Sequence, residues 1–156
     1  MEVALPLVGE VNAYMLEKFL EGVARLSDDD TLVVHLSTEG GDVSIGIALH
    51  DLIKREGNVT IFVHGACMSA GMIVLAAAKT RVSMPNAQFM IHFGEETNSS
   101  PTEAKHNIRI SKLMRRLIGN RAKITKRTVN NWFKTNAYFT AKDALEYGLI
   151  DRIEDL

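Results

Sequence analysis

VTIFVHGACMSAGMIVLAAA, residues Val59 to Ala78, is the stretch whose reading decides the fold. It opens as a β-branched and aromatic run, the composition of a buried strand. It passes through the small residues Gly65 to Gly71 and continues as an Ala-rich apolar segment. This predicts a strand, a tight turn and a buried helix beginning close to Ser69. A hydroxyl at that junction sits beside the unpaired N–H groups of a helix start, which can face a developing negative charge.

Working outward, the same pattern occurs upstream. Thr31 to Leu36 is a compact apolar strand, Ser37 to Asp42 a loop with Gly40-Gly41, and Ile45, Ala48, Leu49, Leu52 and Ile53 form one helical face ending near Gly57. A repeated β-α unit argues for an α/β fold with a parallel sheet. Val3 to Gly9 contains Pro6 and reads as an edge strand. Asn12 caps a helix to about Leu26, with Ala13, Leu16, Leu20 and Val23 on one face and Met15 and Phe19 beside it. Downstream, Arg81 to Met84 and Gln88 to Ile91 are short strands around a Pro85-Asn86 turn. Ser100-Pro101-Thr102-Glu103 starts a long helix to about Arg121, and Thr125 to Lys134 forms a shorter one. Thr140 caps a last helix that stops at Gly148, and Leu149 to Ile153 ends the chain extended.

Composition narrows the function. At 156 residues the chain is one domain with room for a core, and 46% hydrophobic residues is ordinary for a globular protein. A formal charge of −1 gives no electrostatic case for nucleic acid or an anionic membrane. The single cysteine excludes an intramolecular disulfide and a Cys-based metal cluster. No secretory signal is visible, and Met72 to Ala78 is too short to span a bilayer, so a cytoplasmic protein is expected. Cys67 is flanked by apolar residues and reads as a core residue. It also occupies the first glycine's position of a Gly-x-Ser-x-Gly elbow, which argues against a lipase-type hydrolase. His35 and His64 fall in strand-like runs as packing or surface residues; His50 and His106 read as exposed helix positions. No histidine has metal-ligand spacing, and the basic run Lys112 to Lys123 reads as a solvated helix face.

Four stretches carry a resemblance. They are Ser37 to Val43; Gly65 to Gly71; Met84-Pro85-Asn86 with Met90-Ile91-His92; and Phe139-Thr140-Ala141 with Ala144 and Tyr147-Gly148-Leu149-Ile150-Asp151. In order and spacing they resemble the proteolytic subunit of the Clp proteases, within the Clp/crotonase superfamily. The resemblance implies one peptidase domain over 1–156, of repeated β-α units, with the helix at about 100–121 projecting as a handle that packs against a copy of itself. It implies a serine endopeptidase with Ser69 as nucleophile, His92 as general base, and the N–H groups of Gly41 and Ala70 as oxyanion donors. It also implies protein or peptide substrates, no metal or other cofactor, and a homo-oligomeric ring.

Three departures from the family pattern stand out. The position that usually carries the third, acidic triad member is Ala137; its neighbour is Asn136, and the nearest aspartate in sequence is Asp143. Three readings stay open: Asn136 or another carboxylate takes the role, the alanine is an introduced inactivating change, or the subunit is degenerate. Phe93 to Ser100 replaces the family's Pro and Gly-rich strand, which bears on ring stacking. The N-terminus is short for the family's axial segment, leaving partnership with a Clp-type ATPase an open expectation. The competing functions are an inactive scaffold subunit and a crotonase-type acyl-CoA enzyme; the latter leaves the Ser69/His92 pair unexplained.

Overall fold

A computed structural model describes residues 1–92 and 100–156; the polar loop expected over Phe93 to Ser100 lies, but for Ser100, outside the described residues. The elements run β1 (Glu2–Val8), α1 (Ala13–Ala24), β2 (Thr31–Thr38), α2 (Val43–Glu56), β3 (Val59–Met68), α3 (Ala70–Ala76), β4 (Thr80–Ser83), β5 (Gln88–Ile91), α4 (Pro101–Gly119), α5 (Lys126–Thr135), β6 (Ala137–Thr140), α6 (Ala141–Glu146) and β7 (Arg152–Ile153). The sheet order is β1-β2-β3-β4-β7, with β5 branching from β3 and carrying β6. All pairings are parallel except β5 with β6. Pro6 sits in β1, which among the described residues pairs with β2 alone, so its missing N–H costs no ladder bond on the open side.

Strict alternation orients the central strands. Leu32, Val34 and Leu36 of β2 and Val59, Ile61 and Val63 of β3 are buried, while the intervening residues are half-buried. The buried face meets Phe19, Leu49, Ile53, Ile73 and Leu75 from the helices in one core. A bulge then redirects β3. Leu36 pairs with Val63, but Thr38 pairs with Cys67, so extra residues are accommodated on β3 around Gly65. Up to Val63 the strand neighbours β4; from Ala66 to Met68 it neighbours β5. The bulge thus hands the end of β3 to the strand that carries His92.

A buried arginine locks the far side of the sheet. Arg81 of β4, 5% exposed in its side chain, pairs with Asp151 through Nη2 at 2.8 Å. Its Nη1 donates to the carbonyls of Gly148 at 2.9 Å and Leu149 at 3.1 Å. Arg121, just past α4, donates to the carbonyls of Ala76 and Ala78, closing the C-terminal end of α3.

Several details differ from the sequence reading. β3 runs unbroken to Met68, so the small-residue turn contracts to Ser69 alone. In α1 the buried positions are Met15, Phe19 and Gly22, one step round from the expected stripe; Ala13 and Leu20 are exposed. His50 is buried, not exposed, and its Nδ1 lies 3.2 Å from Asp51. β6 was not anticipated: four residues after a helix carry little strand signal, and only pairing with β5 makes them one. α4 ends at Gly119 rather than Arg121, after a full capping box at Ser100 and Glu103. No residue of its first half, Pro101 to Ile110, is buried; Ser111, Met114 and Ile118 anchor the second half.

Candidate active site

Ser69 lies between β3 and α3 with φ 54° and ψ −121°. A residue with a Cβ rarely adopts that backbone, and holding it there costs about 1–3 kcal/mol. Two contacts impose it: the Ser69 N–H donates to the Met90 carbonyl at 2.8 Å, and its own carbonyl accepts from the Met72 N–H at 2.9 Å. A serine before a helix usually spends its hydroxyl on the cap. Here the side chain makes no capping bond. Its Oγ instead lies 3.0 Å from Nε2 of His92, which follows the last residue of β5.

The glycine loop meets the same point. A Cβ built on Gly40 would stand 2.8 Å from Cβ and 3.4 Å from Oγ of Ser69, so only glycine lets this backbone lie on the serine. Gly41 has φ 149°, and a Cβ there would strike the Val11 carbonyl at 2.5 Å. Val11 fastens the loop: its N–H donates to the Gly40 carbonyl at 2.9 Å, and its carbonyl accepts from the Asp42 N–H at 2.8 Å. The Gly40 N–H is held by Thr38 Oγ1 at 3.1 Å. Sequence reasoning missed Val11, because its work is done by backbone atoms and leaves no side-chain signature. Ala70 is buried as the first residue of α3. An open depression of about 510 Å³, lined by Val8, Glu10, Glu39 and Gly65 among others, runs beside the loop.

The remaining sequence candidates are placed as follows. Ala137 pairs with Ile91 in the last pair of the β5–β6 ladder, and His92 and Asn136 are the residues next beyond that pair on the two strands. Asn136 is exposed, with φ 51°. Neither Asn136 nor Asp143 hydrogen-bonds His92; the Asp143 carboxylate instead accepts from the Thr140 N–H at 3.0 Å and caps α6. Cys67 is fully buried, and burial pushes its thiol pKa far up, which removes it as a nucleophile. His35 and His64 pair with each other, Nδ1 to Nε2 at 2.9 Å, away from Ser69 in the sheet register. Among the described residues no three His, Cys, Asp or Glu side chains converge as metal ligands, and no helix is long and apolar enough to cross a membrane.

A parallel sheet that delivers a strained serine, a histidine from the neighbouring strand and a glycine loop to one point defines an α/β protein of the serine-peptidase class. Comparison with known proteins places it further: the chain belongs to the Clp protease family, whose model matches residues 2–155. It is 30% identical over 158 residues to an ATP-dependent Clp protease proteolytic subunit of Ligilactobacillus salivarius, covering 93% of this chain and 79% of that protein. It is 29% identical over 171 residues to the proteolytic subunit 3 of a Synechococcus species, covering 98% and 82%. Among solved structures, a ClpP1 mutant from Listeria monocytogenes superposes with a TM-score of 0.90 at 25% identity, covering 98% of this chain and 91% of that one. The ClpP protease catalytic domain from Plasmodium falciparum shares the fold with a TM-score of 0.85 at 21% identity, covering 98% and 85%.

Proposed function

We propose that this chain is a serine endopeptidase that works through an acyl-enzyme. The observation that carries the reading is the 3.0 Å approach of His92 Nε2 to a Ser69 Oγ that is not spent on capping. In this reading Nε2 takes the hydroxyl proton as Oγ attacks the substrate carbonyl, then returns it to the leaving amine. The new oxyanion faces the N–H groups of Gly41 and Ala70. Each such donor is worth about 3–4 kcal/mol to the transition state. The glycine loop is pinned through Val11 before substrate arrives, so little reorganisation is needed.

The third position sets the activity. Asn136 Oδ1 can accept the Nδ1 proton of His92 and so fix the tautomer. A carboxamide carries no charge, however, and stabilises the imidazolium less than a carboxylate. The proposal is a working but slow peptidase, whose substrates are extended peptides laid beside the glycine loop. By likeness to relatives named as ATP-dependent Clp protease proteolytic subunits, it acts as a homo-oligomeric ring, with a Clp-type ATPase as the candidate partner. Ala137 favours one other reading, a scaffold subunit that kept the fold without the chemistry.

Labelling with a fluorophosphonate, alongside hydrolysis of a fluorogenic peptide, separates the two. The peptidase reading expects labelling that Ser69→Ala abolishes and His92→Ala slows by orders of magnitude. It also expects Asn136→Asp to raise kcat about tenfold or more, since a carboxylate at this point is worth up to about four decades. Absence of labelling in both the parent and the Asn136→Asp variant, with folding intact, establishes the scaffold.

A further inference from the structure

The overall charge of −1 hides a strong segregation. Residues 104 to 142 contain no Asp or Glu, yet hold eleven of the 18 lysines and arginines; the rest of the chain holds all 19 carboxylates and seven cations. This cationic segment is α4 from its second turn, α5 and β6. Between α4 and α5 lies a half-open cleft of about 570 Å³. Lys112, Arg115 and Arg116 line it from one face of α4, being three and four positions apart. Lys126 faces them from the first turn of α5, with Asn120 and Asn130 as neutral donors, and no carboxylate is among its lining residues.

Three features of this cleft lack compensation among the described residues. Arg115 Nε is buried without a hydrogen-bond partner among the described residues, while its guanidinium lies over the Phe133 ring at 5.7 Å. A buried charged donor left unpaired is costly, and the ring fixes its plane. Lys126 and Arg127 occupy the first turn of α5, which carries no acid. Cations there oppose the positive end of the helix dipole. Finally, none of the four lining cations forms an ion pair among the described residues. Mutual repulsion and a misplaced helix-end charge would both be relieved by one thing, an anion in the cleft.

We propose that the α4–α5 cleft is a binding site for an oligophosphate, a ligand with two or more consecutive phosphate groups. A single phosphate would engage one or two of these cations. Lys112 and Arg116 on one wall and Lys126 on the other call for negative charge spread across the cleft. Arg115 supplies the fixed planar fork that matches phosphate oxygens. Beyond Asn130 the surface continues to Arg127 and Lys134, which extends the track for a longer chain of phosphates. Gly119, Ile124 and Val129 give the cleft an apolar part that would accept a nucleoside, so inorganic oligophosphate and nucleoside triphosphate share the required chemistry.

Titration of the full chain by calorimetry at fixed ionic strength tests this, with tripolyphosphate, ATP and orthophosphate as separate probes. The expected result is saturable one-site binding of tripolyphosphate at least about tenfold tighter than orthophosphate. Arg115→Gln and, independently, the exposed Lys126→Gln each weaken it about tenfold, while Lys54→Gln in α2 leaves it unchanged. ATP stronger than tripolyphosphate assigns the site to nucleotides; the reverse assigns it to the inorganic chain. Equal affinity for all three anions, or indifference to both cleft variants, overturns the proposal in favour of diffuse attraction. A short nucleic-acid duplex that displaces tripolyphosphate at equal phosphate concentration overturns it in favour of a nucleic-acid surface. Self-association that buries the cleft and excludes tripolyphosphate overturns it in favour of a contact between copies.

Discussion

Arg81 and Arg115 are both shielded arginines, and they live in opposite electrostatic worlds. Arg81, in the acidic body of the protein, finds a carboxylate and two carbonyls for its guanidinium. Arg115, in the cationic arm, keeps a buried N–H with no described partner and leans on an aromatic ring. The body therefore meets its polar requirements from within. In the arm Arg121 is bonded to the Ala76 and Ala78 carbonyls, but the four cations of the cleft have no ion-pair partner among the described residues. A region whose charges are satisfied internally is built for rigidity, and here it carries the Ser69–His92 pair. A region whose charges are left over is built to meet something else.

The largest expected effect breaks the satisfied side. Arg81→Ala takes the guanidinium away from the Gly148 and Leu149 carbonyls and from the half-exposed Asp151, which keeps the Arg81 backbone N–H, at a cost of about 1–3 kcal/mol. Urea denaturation should show it, with fluorophosphonate labelling falling in step as the sheet edge loosens. Asp151 adds a pH signature. Burial alone would raise its carboxyl pKa, but the Arg81 hydrogen bonds and charge outweigh that and hold it below the ordinary carboxylate range. A depressed folded pKa contributes stability above the unfolded value of about 3.9, lost as pH falls through the folded one. The parent should lose stability at the acid end, and Asp151→Asn should flatten that limb.

The same contrast explains what could be read without coordinates. The body was legible because its signals are apolar periods and small-residue junctions. Val59 to Ala78 announced strand, serine and helix, and Ser100 with Glu103 announced the long helix through its capping box. What stayed hidden was whatever depends on two distant backbones meeting. β6 exists only because β5 lies beside it, and Val11 holds the glycine loop with main-chain atoms alone. The bulge that passes β3 from β4 to β5 is marked by Gly65 and its positive φ, but which strand receives the redirected end shows only in the pairing. The proposed site was half legible: serine and histidine were marked by motif, whereas the ladder that brings Ala137, and with it Asn136, to the end of β5 shows only in strand register. Net charge misled, because a sum near zero is blind to where the charges sit.

A smaller effect sharpens the comparison from the cationic side. Lys112 and Arg116 are like charges one turn apart on α4, a pairing worth about 0.2–0.5 kcal/mol of destabilisation. Lys112→Gln should therefore raise stability slightly at low ionic strength, and the gain should vanish as salt screens the pair. The same substitution should weaken tripolyphosphate binding. A residue whose removal stabilises the free protein while costing it a ligand is the signature of a functional charge. If Lys112→Gln destabilises at every salt concentration, the arm is internally satisfied after all and the contrast with the body fails.

The smallest effect probes a place where the body itself avoids a cation. His35 Nδ1 and His64 Nε2, 2.9 Å apart on adjacent strands, form one hydrogen bond, which needs a donor on one ring and a lone pair on the other. Burial lowers the His64 pKa, and the neighbouring His35 lowers it further. With the folded pKa below the unfolded value of about 6.5, the unfolded chain binds the proton more readily. The pair's contribution is thus complete above that pH and drains away as pH falls through the folded value. Comparing denaturation midpoints at neutral and mildly acidic pH, His64→Gln should lose less stability than the parent. An identical slope in both would mean that the two imidazoles tolerate a second proton, and that a half-buried sheet face shields charge better than its geometry suggests.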